Sequence, residues 1–174
     1  MSIGNAFLQS AISRLTSYKE LADKTFAQLS EKDFFYQPNE QSNSIAIIIQ
    51  HMAGNMLSRW TDFLTTDGEK PWRNRDVEFN VRLNYQQLLD IWEKGWNCCL
   101  QAIANLTEDD LTKTIYIRGE ALLAIDAINR QLTHYPCHVG QIIYIAKILK
   151  NESWQTLSIA KGKSTSFKEQ AQSN

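Results

Sequence analysis

The stretch EALLAIDAINRQLTHYPCHVGQIIYIAKILK, residues 120–150, decides the reading of the fold. Leu123, Ile125, Ala127, Ile128, Leu132, Tyr135, Val139, Ile142, Ile143, Ala146 and Leu149 recur along it at helical spacing. Pro136 interrupts the run without ending it. Proline has no N–H to give the carbonyl of Leu132, so a kink is expected there. The apolar period continues on both sides, which predicts one long helix over about 120–149.

Working outward, residues 84–104 carry Leu88, Leu89, Trp92, Trp96, Cys99, Leu100 and Ile103 on one helical face. Asn84 followed by Gln87 resembles a capping box at its start. Residues 44–63 open on Ser42-Asn43-Ser44, three good cap residues, and bury Ile45, Ile48, Ile49, Met52, Met56 and Trp60. Residues 5–29 repeat the pattern with Leu8, Ile12, Leu15, Leu21, Ala22, Phe26 and Leu29. Thr107 to Leu111 reads as a short capped turn, and Thr114 to Ile117 alternates as one short strand would. The segment TTDGEKPWRNRDVEFNVRL, residues 65–83, is dense in charges of both signs and has no helical period. It is read as a loop with short turns. A loop of that length in a compact domain is usually functional.

Four long amphipathic segments predict an all-α four-helix bundle. One domain over residues 1–160 and a polar tail over 161–174 are expected. The chain has 174 residues, enough to bury a core without staples. Seven glycines and three prolines are too few for the many tight turns of a β-sandwich. A net charge of −1 excludes the basic excess of a nucleic-acid binder. No apolar run is long enough to span a membrane, and Met1-Ser2-Ile3-Gly4 does not open a signal peptide. Three cysteines, two of them adjacent, make no disulfide framework. A reducing cytoplasm is therefore expected.

The three histidines are His51, His134 and His138. The last two stand four residues apart, which places both imidazoles on one helical face. His51 lies on the second long segment, where it can face the fourth across the core. Three imidazoles with open positions form a catalytic metal pattern, one that suits Zn, Ni, Fe or Cu. No zinc-protease helix is present, because Tyr135 stands where the general-base Glu would follow the first His. Asn55, Gln131 and Gln141 are spaced to hydrogen-bond the second ring nitrogens, or else to face solvent as ordinary helix residues. Asp126 reads as a solvent-facing charge near the helix start. Cys98, Cys99 and Cys137 read as small packing residues. Arg59, Asp62, Asp67, Glu69, Arg73, Arg75, Asp76 and Glu78 either pin the long connection by pairing with one another, the favoured reading, or line a pocket entrance. No catalytic residue can be assigned.

The stretches HMAGNMLSRWTDFLTTDGEKPWRNRDVEF, WEKGW, HYPCHVGQIIYIAK and WQTLSIAKGKS together resemble an uncharacterised bacterial family of the DinB-like (YfiT-like) metalloenzyme superfamily. The resemblance covers about residues 5 to 165. It implies a four-helix bundle with an unusual helix order, often dimeric, with a metal near one end. By motif position, His51, His134 and His138 match the three ligands. Pro136 departs from the commoner pattern. Members of that superfamily include thiol S-transferases using bacillithiol and an isomerase using mycothiol. The resemblance thus implies a divalent transition metal, Zn or Ni foremost with Fe or Mn as alternatives. It also raises a low-molecular-weight thiol, a small-molecule substrate and a homodimer. The competing reading is a non-catalytic metal-binding or dimeric interaction module. Trp92 and Trp96, as apolar aromatics that one core would not absorb, are expected to support the dimer.

Overall fold

The computed structural model describes residues 1–159, so the expectation for the 161–174 tail lies outside the described residues. The chain is mostly helical. Helix α1 (Ile3–Phe26) is followed by a single turn, α2 (Glu31–Phe34), and by α3 (Ile45–Trp60). A second single turn, α4 (Arg75–Glu78), precedes α5 (Tyr85–Ala104). A 3-10 turn (Glu108–Thr112) leads into a hairpin of β1 (Thr114–Ile117) and β2 (Glu120–Leu123). The hairpin feeds α6 (Ala124–Lys150). No described helix is long and apolar enough to cross a membrane.

Local chemistry sets these boundaries. Ser2 and Ser44 cap α1 and α3, each side-chain oxygen accepting the N–H three residues on. Asn84 accepts from the Gln87 N–H at 2.9 Å while its own N–H donates to Gln87 Oε1 at 3.0 Å. The expected capping box is formed. Thr107 and Asp110 make a second box at the 3-10 turn.

The four long helices pack in a ring, α1 on α5 and α6, and α3 on α5 and α6. Leu8, Ala11, Leu15 and Ala22 give α1 its buried stripe. Helix α3 is buried almost all round, as an apolar run such as IAIII demands. It approaches α5 tightly at Gly95, where a Cβ would stand 3.1 Å from the Cα of Ala53. Trp92 and Trp96 lie within this core, almost wholly enclosed. Contrary to expectation, the chain absorbs both aromatics by itself, so they offer no surface to a second copy.

The fourth helix differs from expectation at its start. Residues 120–123 are strand β2, paired antiparallel with β1 in the register Thr114↔Leu123 to Ile117↔Glu120. The two-residue connection, Arg118-Gly119, has φ of 57° and 77°. Positive φ at both central positions marks the turn that matches strand twist. Helix α6 runs through Pro136 without ending.

The 65–83 connection is tied down at both ends. Asp67 accepts from the N–H groups of Glu69 (2.7 Å), Arg118 (2.8 Å) and Gly119 (2.7 Å), joining the connection to the hairpin tip. Although burial works against it, these bonds hold the Asp67 carboxyl below its usual range. At the other end Gln50 Nε2 donates to the carbonyls of Val77 and Glu78, both at 2.9 Å, and fixes α4 against α3.

Candidate metal centre

Residues 51, 55 and 59 are spaced by four, so His51, Asn55 and Arg59 form one stripe along α3. Gln131, His134 and His138 present a matching stripe on α6. Where the stripes face, the three imidazoles converge, with donor nitrogens all within 4.8 Å of one another. Nε2 of His134 lies 3.1 Å from Nε2 of His138 and 3.4 Å from Nε2 of His51.

The outer nitrogens decide what these inner atoms are. Nδ1 of His51 lies 3.0 Å from Glu78 Oε2, and an ionised carboxylate only accepts. Nδ1 of His134 faces Gln131 Oε1 at 3.2 Å, and Nδ1 of His138 faces Gln141 Oε1 at 2.9 Å. These oxygen partners favour the Nδ1–H tautomer in each ring, which turns the Nε2 lone pairs toward one another. Three lone pairs pointing at one another are mutually repulsive unless a cation lies between them. The donor set fits a divalent transition metal: neutral imidazoles, each with its far nitrogen anchored to an oxygen.

Electrostatics favour the neutral forms of His134 and His138. Burial, and then the neighbouring His138 and His51, pull His134 down to about 3. Burial and His51 also lower His138, against the opposing bond to Gln141. Glu78 loses solvation, yet hydrogen bonds from His51 and Arg73 hold it below the usual carboxylate range. Arg73 grips it with two parallel bonds, Nε to Oε1 at 2.7 Å and Nη2 to Oε2 at 3.0 Å. Gly54 permits this approach, because a Cβ there would overlap the Glu78 carboxylate.

Of the two readings open for them, the structure brings Gln131 and Gln141 to the histidines, but not Asn55. Its Oδ1 accepts instead from the Tyr135 hydroxyl at 2.9 Å, and that hydroxyl accepts from Trp60 Nε1 at 2.9 Å. The anchor of His51 is Glu78, 27 residues away. A carboxylate in a charged loop carries no periodic signal that would pick it out. Arg73 with Glu78 and Arg75 with Glu69 do pin the connection, as favoured. The same segment also walls the site, so both readings of the loop hold. Cys99 is buried packing, while Cys137 is exposed beside the histidines, contrary to expectation. Asp126 is exposed.

A cavity of about 550 Å³ opens on the cluster, lined among others by His51, Glu78, Phe79, His134 and Cys137. Phe79 stacks on His51 at 5.7 Å between ring centres. The arrangement can hold an ion and a small molecule side by side.

Comparison with known proteins follows from this geometry. Residues 2–163 match the family described as protein of unknown function, DUF1572, and the chain belongs to that family. A search of curated proteins finds no match. Among solved structures, a conserved protein from Enterococcus faecalis is similar with a TM-score of 0.63 at 16% identity. The alignment covers 85% of this chain and 97% of that one. At that identity the likeness speaks for the fold alone.

Proposed function

We propose that this member of the DUF1572 family is a divalent-metal-dependent enzyme acting on a small molecule. In this reading it is a four-helix bundle of the DinB-like (YfiT-like) type, and His51, His134 and His138 are the ligands. The observation that carries the reading is the convergence of three histidine ring nitrogens within 4.8 Å of one another beside an open cavity. Zn or Ni suits three imidazoles best; Fe and Mn are the alternatives. When bound, such an ion would acidify a thiol or water beside it and supply a nucleophile near neutral pH. Thiol-dependent S-transfer is the chemistry the superfamily resemblance favours, with a low-molecular-weight thiol as co-substrate.

The chain's own residues have separable roles. Glu78, Gln131 and Gln141 orient the rings and fix their tautomers. Arg73 holds Glu78 in place. Phe79 covers one face of His51 and limits water. A purely structural metal module would call for a fourth protein ligand. Among the described residues the candidate group contains three. The cavity beside it favours an enzyme over such a module.

A homodimer in a reducing cytoplasm completes the proposal. The resemblance supports the dimer, as does the exposure of Tyr144 and Ile148 on α6. The free thiols Cys98, Cys99 and Cys137 suit the compartment.

The test is elemental analysis of protein purified without a histidine tag, followed by zinc and cobalt titration. About one ion per chain is expected, with a thermal midpoint that rises with metal concentration. His134→Ala should abolish both effects. Metal-free protein whose stability ignores added zinc would end the metal reading.

A further inference from the structure

The same cavity holds a second device. Five of its lining residues are arginines (Arg59, Arg73, Arg75, Arg118 and Arg130), against one carboxylate, Glu78. The whole chain carries a net charge of −1, so this concentration of positive charge is local. Arg73 and Arg75 are committed to Glu78 and Glu69. Arg59 is not. It is 2% exposed, and its Nε and Nη1 have no hydrogen-bond partner among the described residues. Nor does any salt bridge of the described residues include it. Burial pulls its guanidinium down to about 10. A buried guanidinium without a counter-ion is strongly unfavourable, and chains do not keep one idle.

The surroundings build a place for it. Gly68 lies over the side chain, where a Cβ would stand 2.9 Å from Nη1 and 3.2 Å from Cδ. Arg59 sits two turns beyond His51 on α3, and Arg130 one turn before His134 on α6. At 1.5 Å per residue those offsets are about 12 and 6 Å along the helices. The Asp67 bonds seat the hairpin tip that brings Arg118 to the same wall.

We propose that Arg59, with Arg130 and Arg118 beside it, is an oxyanion subsite that holds a carboxylate or phosphate group of the small molecule whose other end reaches the three histidines. Arg59 Nε and Nη1 are sealed beneath Gly68, so the anion is met through the remaining Nη2 of Arg59, with Arg130 and Arg118 supplying further charged donors from the cavity wall. The proposal deepens the metal-enzyme reading and rests on it for the reacting end of the molecule. Recognition of the anion itself does not need the ion.

The experiment uses the full chain, stripped of metal by chelation so that no anion can bind through an ion. Inorganic phosphate and succinate are titrated calorimetrically, with succinamide as the uncharged control. Saturable binding of at least one of the two anions, and none of succinamide, is expected. Binding of phosphate alone assigns a phosphorylated ligand, and binding of succinate alone a carboxylate. Arg59→Met should weaken binding roughly tenfold, the effect of removing one charge-assisted donor. Arg130→Gln, at an exposed position, should weaken it less.

Arg59→Met should also raise the thermal midpoint, because it removes an unpaired buried charge. A purely structural arginine would lower it. No saturable binding of either anion, unchanged binding in Arg59→Met, or a lowered midpoint in that variant would each overturn the subsite. Zinc titration of the same preparations separates the two readings. Zinc binding without anion binding defeats the subsite alone, and anion binding without zinc binding defeats the metal centre alone.

Discussion

Gly54 and Glu78 occupy one another's space: the carboxylate of Glu78 lies where a side chain on residue 54 would begin. Glu78 reaches His51 only because α3 has no side chain one turn along from that histidine. The glycine therefore shapes the candidate metal centre without touching it.

Gly54→Ala should push Glu78 away from His51 and weaken zinc binding by about 10- to 100-fold, the usual effect of losing an outer partner of a ligand. Helix propensity acts the other way, favouring Ala over Gly by about 1 kcal/mol. Zinc titration with a parallel urea melt separates the two effects. Unchanged affinity would mean that Glu78 does not orient the ring.

Tyr135→Phe should destabilise the fold by about 2–4 kcal/mol, because it leaves two buried groups without partners. Those groups are Trp60 Nε1 and Asn55 Oδ1, each 2.9 Å from the hydroxyl. Metal affinity should change far less than stability. Denaturant unfolding checks the first point and zinc titration the second.

Asp67→Ala removes the acceptor of three backbone N–H groups and should cost about 2 kcal/mol, given the worth of bonds to a charged group. Amide exchange at Arg118 and Gly119 should accelerate, while that of the α5 interior should change only with global stability. If Arg118 is held by something other than this seat, its amide will stay protected.

Acid sensitivity should trace in part to Asp110. Lys113, and then the N–H and hydroxyl of Thr107, hold its carboxyl down at about 2. A folded pKa below the ordinary carboxylate value gives stability that is fully present above about pH 4. That stability is lost as pH falls through about 2. Asp110→Asn should therefore be less stable at neutral pH by about 1 kcal/mol, an ordinary cap contribution. The difference should close between pH 4 and pH 2 in urea melts. A constant gap across that range would remove Asp110 from the acid transition.

The sequence was informative where one local signal acted alone. Ser44 and Asn84 announce helix starts because a side-chain oxygen can satisfy an N–H three residues on. Thr114 to Ile117 alternates, and it is a strand. His134, His138, Gln131 and Gln141 share one helix, so periodicity alone places them together. The partner strand was misread because Leu122, Leu123 and the residues after them make one unbroken apolar run. Four residues are too few for alternation to outweigh it. Asn55 follows neither of its two readings, because i, i+4 spacing cannot tell an imidazole or open solvent from a tyrosine hydroxyl on the facing helix. Glu78 and Arg59 were visible only as charges. Their roles depend on how a loop folds back over α3, a long-range outcome with no local pattern.

The candidate metal centre is divided along the chain, with 83 residues between His51 and His134. During synthesis at about 5–20 residues per second, the half holding His51, Arg73 and Glu78 leaves the ribosome several seconds before α6 is made. No continuous peptide from this chain contains the three histidines without about half of its length. An ion can meet all three imidazoles only in a chain whose α3 and α6 are docked. By joining the two helices it would slow their separation, so it should lengthen the lifetime of the native chain more than it hastens the chain's formation.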